Sequence, residues 1–208
     1  MSRFRRRPDL RLSTPDPFLG YNFRVKFRQT AVLAVFLAAL GVAAWWLYYN
    51  WRDHSQDAVI LAAARRYNVP PALVKAVVWR ETWFNPGALG SHGEFGLMQV
   101  CAEPGGEWAA AERIPSFTPE QLLDPATNTL AGAFYLGKLL KRYPRTDNPM
   151  VYALADYNAG RGRVLQWNKG AAETNSAAFL AQMTFPGVRK YITTTLKRYE
   201  RYEPVFGK

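Results

Sequence analysis

Residues 70–86 have the sequence P-P-A-L-V-K-A-V-V-W-R-E-T-W-F-N-P, which predicts one short helix with a carboxylic acid near its end. The Pro70-Pro71 pair is typical of a helix start. Asn85-Pro86 is typical of a helix stop, because the residue before a proline is disfavoured in the α region. We therefore expect a helix from Pro70 to Phe84.

Glu81 lies on the apolar face of this predicted helix. Four apolar residues precede it at helical spacing: Val78 by three positions, Val77 by four, Val74 by seven and Leu73 by eight. Residues at such spacings share one face of a helix. Glu81 also falls in the last turn, where unpaired carbonyls make the local field negative. Both effects favour the neutral acid and should raise its pKa, as a general acid for glycosidic cleavage requires. The alternative is a solvated glutamate at a helix end.

The rest of the chain also predicts helices, and no alternating strand pattern of useful length occurs, so we expect an all-α or mainly α domain. Asp124-Pro125 is typical of a capped helix start, and we expect Arg142, near the end of this helix, to point outward. Another short helix should begin near Gly96, break at Pro104-Gly105-Gly106 and resume beyond them. The remaining predicted helices are 57–67, 125–143, 149–159 (broken by Gly160 and Gly162) and 186–202.

Length and composition limit the chain to one globular domain with an extension. It has 208 residues, of which 49% are hydrophobic and 14% aromatic, enough apolar material for a core. Cys101 is the single cysteine, and His54 and His92 are the two histidines. These counts exclude an intramolecular disulfide and disfavour a zinc centre, so we expect neither a metal nor another cofactor.

The N-terminal part predicts a membrane anchor. Residues 1–28 carry eight basic and two acidic side chains, a net +6 of the chain's +11. The 23 residues 29–51 carry no charge, which is long enough to cross a bilayer. Five aromatic residues at the end of this segment are typical of the aromatic belt at a membrane interface: Trp45, Trp46, Tyr48, Tyr49 and Trp51.

This arrangement predicts a disordered basic tail at 1–28, a single transmembrane helix at 29–51 and an extracytoplasmic domain at 52–208. The basic flank predicts a cytoplasmic N-terminus and a domain on the opposite side of the membrane. A cleavable signal peptide ending near Val42-Ala43-Ala44 is the rival interpretation. A membrane explains this positive charge better than nucleic acid does, so we expect no nucleic-acid partner.

Two further motifs supply groups suited to sugars. In G-L-M-Q at 96–99, Met98 is an adaptable apolar group, and Gln99 offers both an amide donor and an acceptor. In A-D-Y-N-A-G at 155–160, Tyr157 and Asn158 pair an aromatic ring with an amide. Each motif alone is weak, because a methionine is usually a core residue and Tyr-Asn is an ordinary pair.

Together these stretches resemble the lytic transglycosylases of the soluble lytic transglycosylase type, a lysozyme-like family that cleaves bacterial peptidoglycan. The resemblance covers about residues 56–202. The family's acid-bearing E-S-x-F-N-P matches E-T-W-F-N-P at 81–86, with Thr82 in place of the serine. Its G-L-M-Q and A-x-Y-N-A-G match 96–99 and 155–160. Its N-x3-G-x2-Y-L matches Asn128, Gly132, Tyr135 and Leu136.

The resemblance implies a lysozyme-like fold and a mechanism with one carboxylate. Together with the predicted anchor, it implies a periplasmic domain on the bacterial inner membrane. Glu81 would be the catalytic acid, and Met98, Gln99, Tyr157 and Asn158 would bind the glycan. Glu81 would protonate the oxygen between N-acetylmuramic acid and N-acetylglucosamine. It would then take the proton from the C6 hydroxyl of the muramic acid, which closes onto C1 and leaves a 1,6-anhydro end.

Two other functions stay open at this point. A goose-type muramidase would hydrolyse the same bond and would need Glu94 or Asp156 to hold the attacking water, because a conventional glycosidase uses two carboxylates ~5–9.5 Å apart. A non-catalytic peptidoglycan-binding or assembly factor would use the same fold as a clamp. The acid Glu81 disfavours the clamp, which has no use for a buried carboxyl group.

Overall fold

A computed structural model describes residues 17–207, with side chains from residue 29 onward. The predicted basic tail up to residue 16 lies outside the described residues. The chain divides into two compact units, one ending at Tyr49 and one beginning at Asn50.

The described part of the first unit, residues 17–49, is helical. It belongs to the helix α1, Pro17–His54, whose last five residues lie in the second unit. The helix begins at Pro17 rather than at residue 29, so residues 17–28 of the predicted disordered tail are helical. Its apolar side chains from Val32 to Trp51 are largely exposed. Among the described residues, α1 contains the one apolar window long enough to cross a membrane, judged by length and composition.

The second unit is built from eight further helices and two 3-10 turns at 119–123 and 170–173. Residues 17–207 contain isolated β-bridges at Leu89–Phe95 and Phe95–Val100 but no strand. The prediction of an all-α fold is therefore confirmed. The helices are α2 Asp57–Tyr67, α3 Pro71–Thr82, α4 Ala102–Ala111, α5 Pro125–Arg142, α6 Pro149–Ala159, α7 Arg161–Trp167, α8 Ser176–Gln182 and α9 Pro186–Tyr202.

The core forms where α3 packs against α9, α2 packs against α5, and α6 packs against both α5 and α9. The helix α3 is central because every residue from Ala72 to Val78 is buried. The helix α5 begins as predicted, since the Asp124 carboxylate accepts a hydrogen bond from the Thr127 amide at 2.8 Å and Pro125 occupies the first helical position.

The predicted helix starting near Gly96 is wrong. Residues 96–99 form a turn, with Gly96 and Gln99 both at positive φ (63° and 48°). The helix α4 begins later and runs through Pro104-Gly105-Gly106 without a break. Pro104 is tolerated because it lies in the first turn, where backbone N–H groups have no partner within the helix.

Two smaller predictions also need correction. Gly162 does not break a helix, because it lies inside α7; Gly160 alone separates α6 from α7, at φ 80°. Arg142, predicted to point outward, turns inward to form an ion pair with the buried Asp156.

Candidate active site

Glu81 lies in the last turn of α3, partly buried, as its spacing predicted. The Tyr191 hydroxyl, from α9, donates a hydrogen bond to Glu81 Oε1 at 2.6 Å. Burial raises the pKa of Glu81 above its usual value. The Tyr191 hydrogen bond and the charge of Arg80 oppose this rise, while the charge of Glu94 adds to it. The site therefore contains a carboxyl group biased toward its neutral form, with a hydroxyl donor placed to stabilise its ionised form.

The end of α3 is tied to the G-L-M-Q turn. Thr82, which follows the acid, donates its hydroxyl proton to the Leu97 carbonyl at 2.9 Å. The helix ends one residue later because Trp83 adopts the left-handed conformation, at φ 51°. The hydroxyl at position 82 thus fixes the distance between the helix that carries Glu81 and the turn that carries Met98 and Gln99.

Asn128 on α5 holds the same turn from the other side. Its Oδ1 accepts a hydrogen bond from the Met98 amide at 2.8 Å. Its Nδ2 donates to the carbonyls of Phe95 at 2.7 Å and Leu122 at 2.8 Å. Asn128 is fully buried. Because water cannot reach its amide, these three bonds are what satisfies its polar atoms.

Gly132, one turn further along α5, allows the turn to approach the helix closely. A Cβ atom at this position would overlap the side chain of Met98. The N-x3-G motif therefore has a structural function, because it packs α5 against the backbone of G-L-M-Q. Met98 itself has no exposed surface, so its side chain fills the floor beneath the turn.

The Tyr157 side chain joins α6 to this turn. Its hydroxyl donates to the Met98 carbonyl at 2.7 Å, and its ring lies 5.6 Å from the ring of Tyr135. Burial and the charge of Glu81 raise the pKa of Tyr157 well above its usual value, so the phenol is neutral. Asn158 is exposed and makes no side-chain hydrogen bond among residues 29–207.

Gln99 stands at the edge of the same site. Its Nε2 donates to the Gly96 carbonyl at 3.0 Å and the Ala88 carbonyl at 3.4 Å. A Cβ at Gly90 would meet both Gln99 Oε1, at 2.7 Å, and the Glu94 carboxylate. Glu94 in turn accepts a hydrogen bond from the His92 amide at 2.9 Å. The loop therefore brings Gln99 and Glu94 together beside a glycine.

Asp156, the other carboxylate that could have held a water molecule, is engaged elsewhere. It is 1% exposed and accepts hydrogen bonds from Arg142 Nη1 at 2.6 Å and the Tyr143 hydroxyl at 2.7 Å. Both bonds reach Oδ2, and Oδ1 is buried without a partner. Because the carboxylate is buried, it does not face an open cleft in which it could position a water molecule. Glu94 remains the second carboxylate whose charge acts on Glu81.

Tyr191 is the site residue whose role the sequence did not reveal. The periodicity of 186–202 places it on the inward face of α9, but 110 residues separate it from Glu81. Only the packing of α9 on α3 brings the two side chains together. No group of three or more His, Cys, Asp or Glu side chains able to hold a metal occurs in the described part of the chain.

The Tyr191→Phe variant should shift the pH dependence of activity toward higher pH. In the wild type the hydrogen bond from Tyr191 lowers the pKa of Glu81. Removing the hydroxyl therefore raises that pKa further. A general acid works while protonated, and the high-pH limb of the rate profile should therefore move upward. Initial rates across pH on peptidoglycan, the substrate that the sequence motifs predict, would measure this shift, with Tyr199→Phe on the same helix as the control. A limb that stays in place or moves to lower pH contradicts this role.

Comparison with known proteins gives one family. A sequence model of the transglycosylase SLT domain matches residues 58–180. A soluble lytic murein transglycosylase from Escherichia coli K12 is 31% identical over 163 residues, which cover 74% of this chain. The matched part is 25% of that relative's length, so the chain spans about a quarter of the curated relative.

Solved structures agree with this result. One similar structure is an inactive mutant of the lytic transglycosylase Slt from Pseudomonas aeruginosa, in which glutamine replaces a glutamate. Its TM-score is 0.64 and its sequence identity 26%, over 71% of this chain and 24% of its own length. The 70-kDa soluble lytic transglycosylase in complex with bulgecin A has a TM-score of 0.63 and 26% identity, over 89% of this chain and 29% of its own. The family predicted from the motifs is thus confirmed, and the chain belongs to the transglycosylase SLT domain family.

Proposed function

We propose that this protein is a peptidoglycan lytic transglycosylase that cleaves the β-1,4 bond between N-acetylmuramic acid and N-acetylglucosamine. The observation that carries the proposal is Glu81, a partly buried carboxyl group with a raised pKa and a tyrosine hydroxyl on one of its oxygens. Family membership supports it, as does the inactivity of a glutamate-to-glutamine mutant of the Pseudomonas relative.

The proposed reaction uses Glu81 twice. The neutral acid gives its proton to the bridging oxygen as the C1–O bond breaks, and the acetamido group of the substrate stabilises the cation. The resulting carboxylate accepts a hydrogen bond from Tyr191. It then takes the proton of the C6 hydroxyl, whose oxygen bonds to C1 and closes the 1,6-anhydro ring. Glu81 ends protonated, and no water is consumed.

The glycan-binding residues we propose are Met98, Gln99, Tyr157 and Asn158, each acting differently. The Tyr157 hydroxyl is already bonded to Met98, so its ring edge is what remains for substrate. Met98 is fully buried and acts by shaping the turn. Gln99 and the exposed Asn158 offer amide groups to sugar hydroxyl or acetamido groups.

A goose-type muramidase is the second candidate, because the charge of Glu94 acts on Glu81. In that enzyme Glu94 would hold the attacking water. In a lytic transglycosylase it does no chemistry, and its charge only raises the pKa of the acid. The two functions therefore predict different results from one substitution.

The Glu94→Gln variant should keep most of its activity and lose it at lower pH than the wild type. Removing the neighbouring negative charge lowers the pKa of Glu81, so the protonated acid disappears earlier as pH rises. Release of soluble fragments from purified sacculi would be followed across pH, with the exposed Glu120→Gln as the control. Loss of activity at every pH would favour the muramidase instead.

We further propose that α1 anchors the protein in the bacterial inner membrane by a single span, with the N-terminus in the cytoplasm and the catalytic unit in the periplasm. The apolar, uncharged segment within α1 supports this topology, as does the basic flank before it. A phosphatase reporter fused after Lys208 should be active, because that enzyme matures only in the periplasm. Recovery of a soluble protein beginning near Trp45 would favour a cleaved signal peptide instead.

A further inference from the structure

The turn that follows Glu81 has an unfavourable backbone conformation. Trp83 and Phe84 are consecutive non-glycine residues at positive φ, 51° and 62°. The left-handed region costs energy for every residue that has a Cβ atom, and such conformations persist only where surrounding contacts impose them. Glu81 is two residues away, so whatever imposes this turn also determines where the acid points.

Arg52 makes a contact able to impose it. Its Nε donates a hydrogen bond to the Trp83 carbonyl at 2.7 Å. Its guanidinium carbon also lies 5.0 Å from the centroid of the Trp83 ring, within the range of a cation–π interaction. One side chain therefore holds both the backbone and the ring of the residue that ends α3.

The segment that carries Arg52 is itself fixed. The next residue, Asp53, accepts a hydrogen bond from the Tyr202 hydroxyl and lies 3.7 Å from Lys75 Nζ. Lys75 is 1% exposed and forms a 2.6 Å ion pair with Asp57. Its ammonium also lies 4.3 Å from the centroid of the Phe206 ring. Arg52 thus extends from a rigid base rather than from a mobile linker.

We propose that Arg52 is a positioning residue for Glu81, so that the last turn of α1 is a working part of the active site. This inference rests on the proposed function. The Arg52 guanidinium keeps Trp83 left-handed and closes the end of α3. Glu81 then stays partly buried and within reach of the Tyr191 hydroxyl. Thr82, bonded to Leu97, fixes the same turn from its other side.

The test compares Arg52→Ala, Arg52→Gln and Arg52→Lys in the full-length protein in detergent. Rates on purified sacculi would be measured against substrate amount and pH, and urea unfolding would follow the fold. Arg65→Ala, which removes an exposed arginine of α2, is the matched control. Glu81→Gln serves as the inactive reference.

For Arg52→Ala we expect kcat to fall about tenfold to a hundredfold with KM unchanged, because small displacements of a catalytic group have effects of this size. Burial is the largest influence on the pKa of Glu81, so its loss should outweigh the loss of the Tyr191 hydrogen bond and move the high-pH limb to lower pH. The Gln and Lys variants each keep a nitrogen that can donate a hydrogen bond but lose the planar, stacked guanidinium, so both should be intermediate. Arg65→Ala should match the wild type.

The inference is overturned if Arg52→Ala unfolds more easily yet keeps the kcat and the pH limb of the wild type. If Arg52→Ala does not fold, the Arg52→Gln and Arg52→Lys variants provide the test. The inference is then overturned if both variants have the kcat and the high-pH limb of the wild type. Failure of the proposed function would give a different result. Either the wild-type protein would release nothing from sacculi, or the Glu81→Gln variant would be as active as the wild type.

Discussion

The Glu81→Gln variant is expected to lose peptidoglycan cleavage by about 10⁴-fold. Assistance from a general acid or base is worth ~10²–10⁴-fold in rate. One carboxyl group serves both halves of the proposed reaction, so the loss should lie at or above the top of that range. Initial rates of fragment release from sacculi would measure it, with Glu200→Gln, an exposed position on α9, as the control.

The same variant should be folded, and it should lack a pH dependence of stability that Glu81 gives the wild type. The raised pKa of Glu81 means that the folded state holds this proton more tightly than the unfolded state. Stability therefore falls as pH rises from the ordinary carboxyl pKa through the raised one. Glutamine removes that dependence. The free energy of unfolding of the variant, relative to that of the wild type, should therefore be larger at neutral pH than at acid pH. Wild-type activity in Glu81→Gln would exclude both proposed enzymes at this site.

Asn128→Ala should be the most destabilising single change at the site, by about 3 kcal/mol or more. It would leave the amide of Met98 and the carbonyl of Leu122 without a partner, while the Phe95 carbonyl would keep only its bond from the Val100 amide. Each buried group left unsatisfied costs ~1–3 kcal/mol. Activity should fall as well, because the turn that carries Gln99 is no longer held against α5.

Thermal unfolding of the full-length protein, followed by circular dichroism, would measure this loss. Asn148→Ala is a suitable control, since Asn148 is partly exposed and makes no side-chain hydrogen bond in the described part of the chain. Asn128→Asp is a second probe: it keeps the acceptor for Met98, loses both donated bonds and buries a charge. A change in stability no larger than that of Asn148→Ala would show that Asn128 does not hold the turn.

Local pattern predicted the parts of the fold where pattern and packing agree. The helices α2, α3, α5, α6 and α9 lie within a few residues of their predicted ranges. Glu81 faces the core side because its spacing from the valines of α3 is a property of the helix itself. Its partial burial and the rise of its pKa could be inferred for the same reason.

The errors occur where contacts distant in sequence override local preference. Residues 96–99 form a turn rather than a helix because Asn128, some 30 residues later, binds the Met98 amide. Gly105 is accommodated inside α4 because a Cβ there would lie 2.9 Å from Leu122 Cδ1, so the packing favours glycine. Tyr191 and Arg52 reach the site from α9 and α1, and no motif near Glu81 indicates either.

The products of wild-type digestion test the central claim most directly. Purified sacculi digested by the full-length protein in H₂¹⁸O would be analysed by mass spectrometry for the muramic acid end. The proposed mechanism predicts 1,6-anhydromuramyl ends, one water lighter than hydrolysed ends and free of ¹⁸O. Reducing muramic acid that carries ¹⁸O would contradict it and would make Glu94 the residue to examine next.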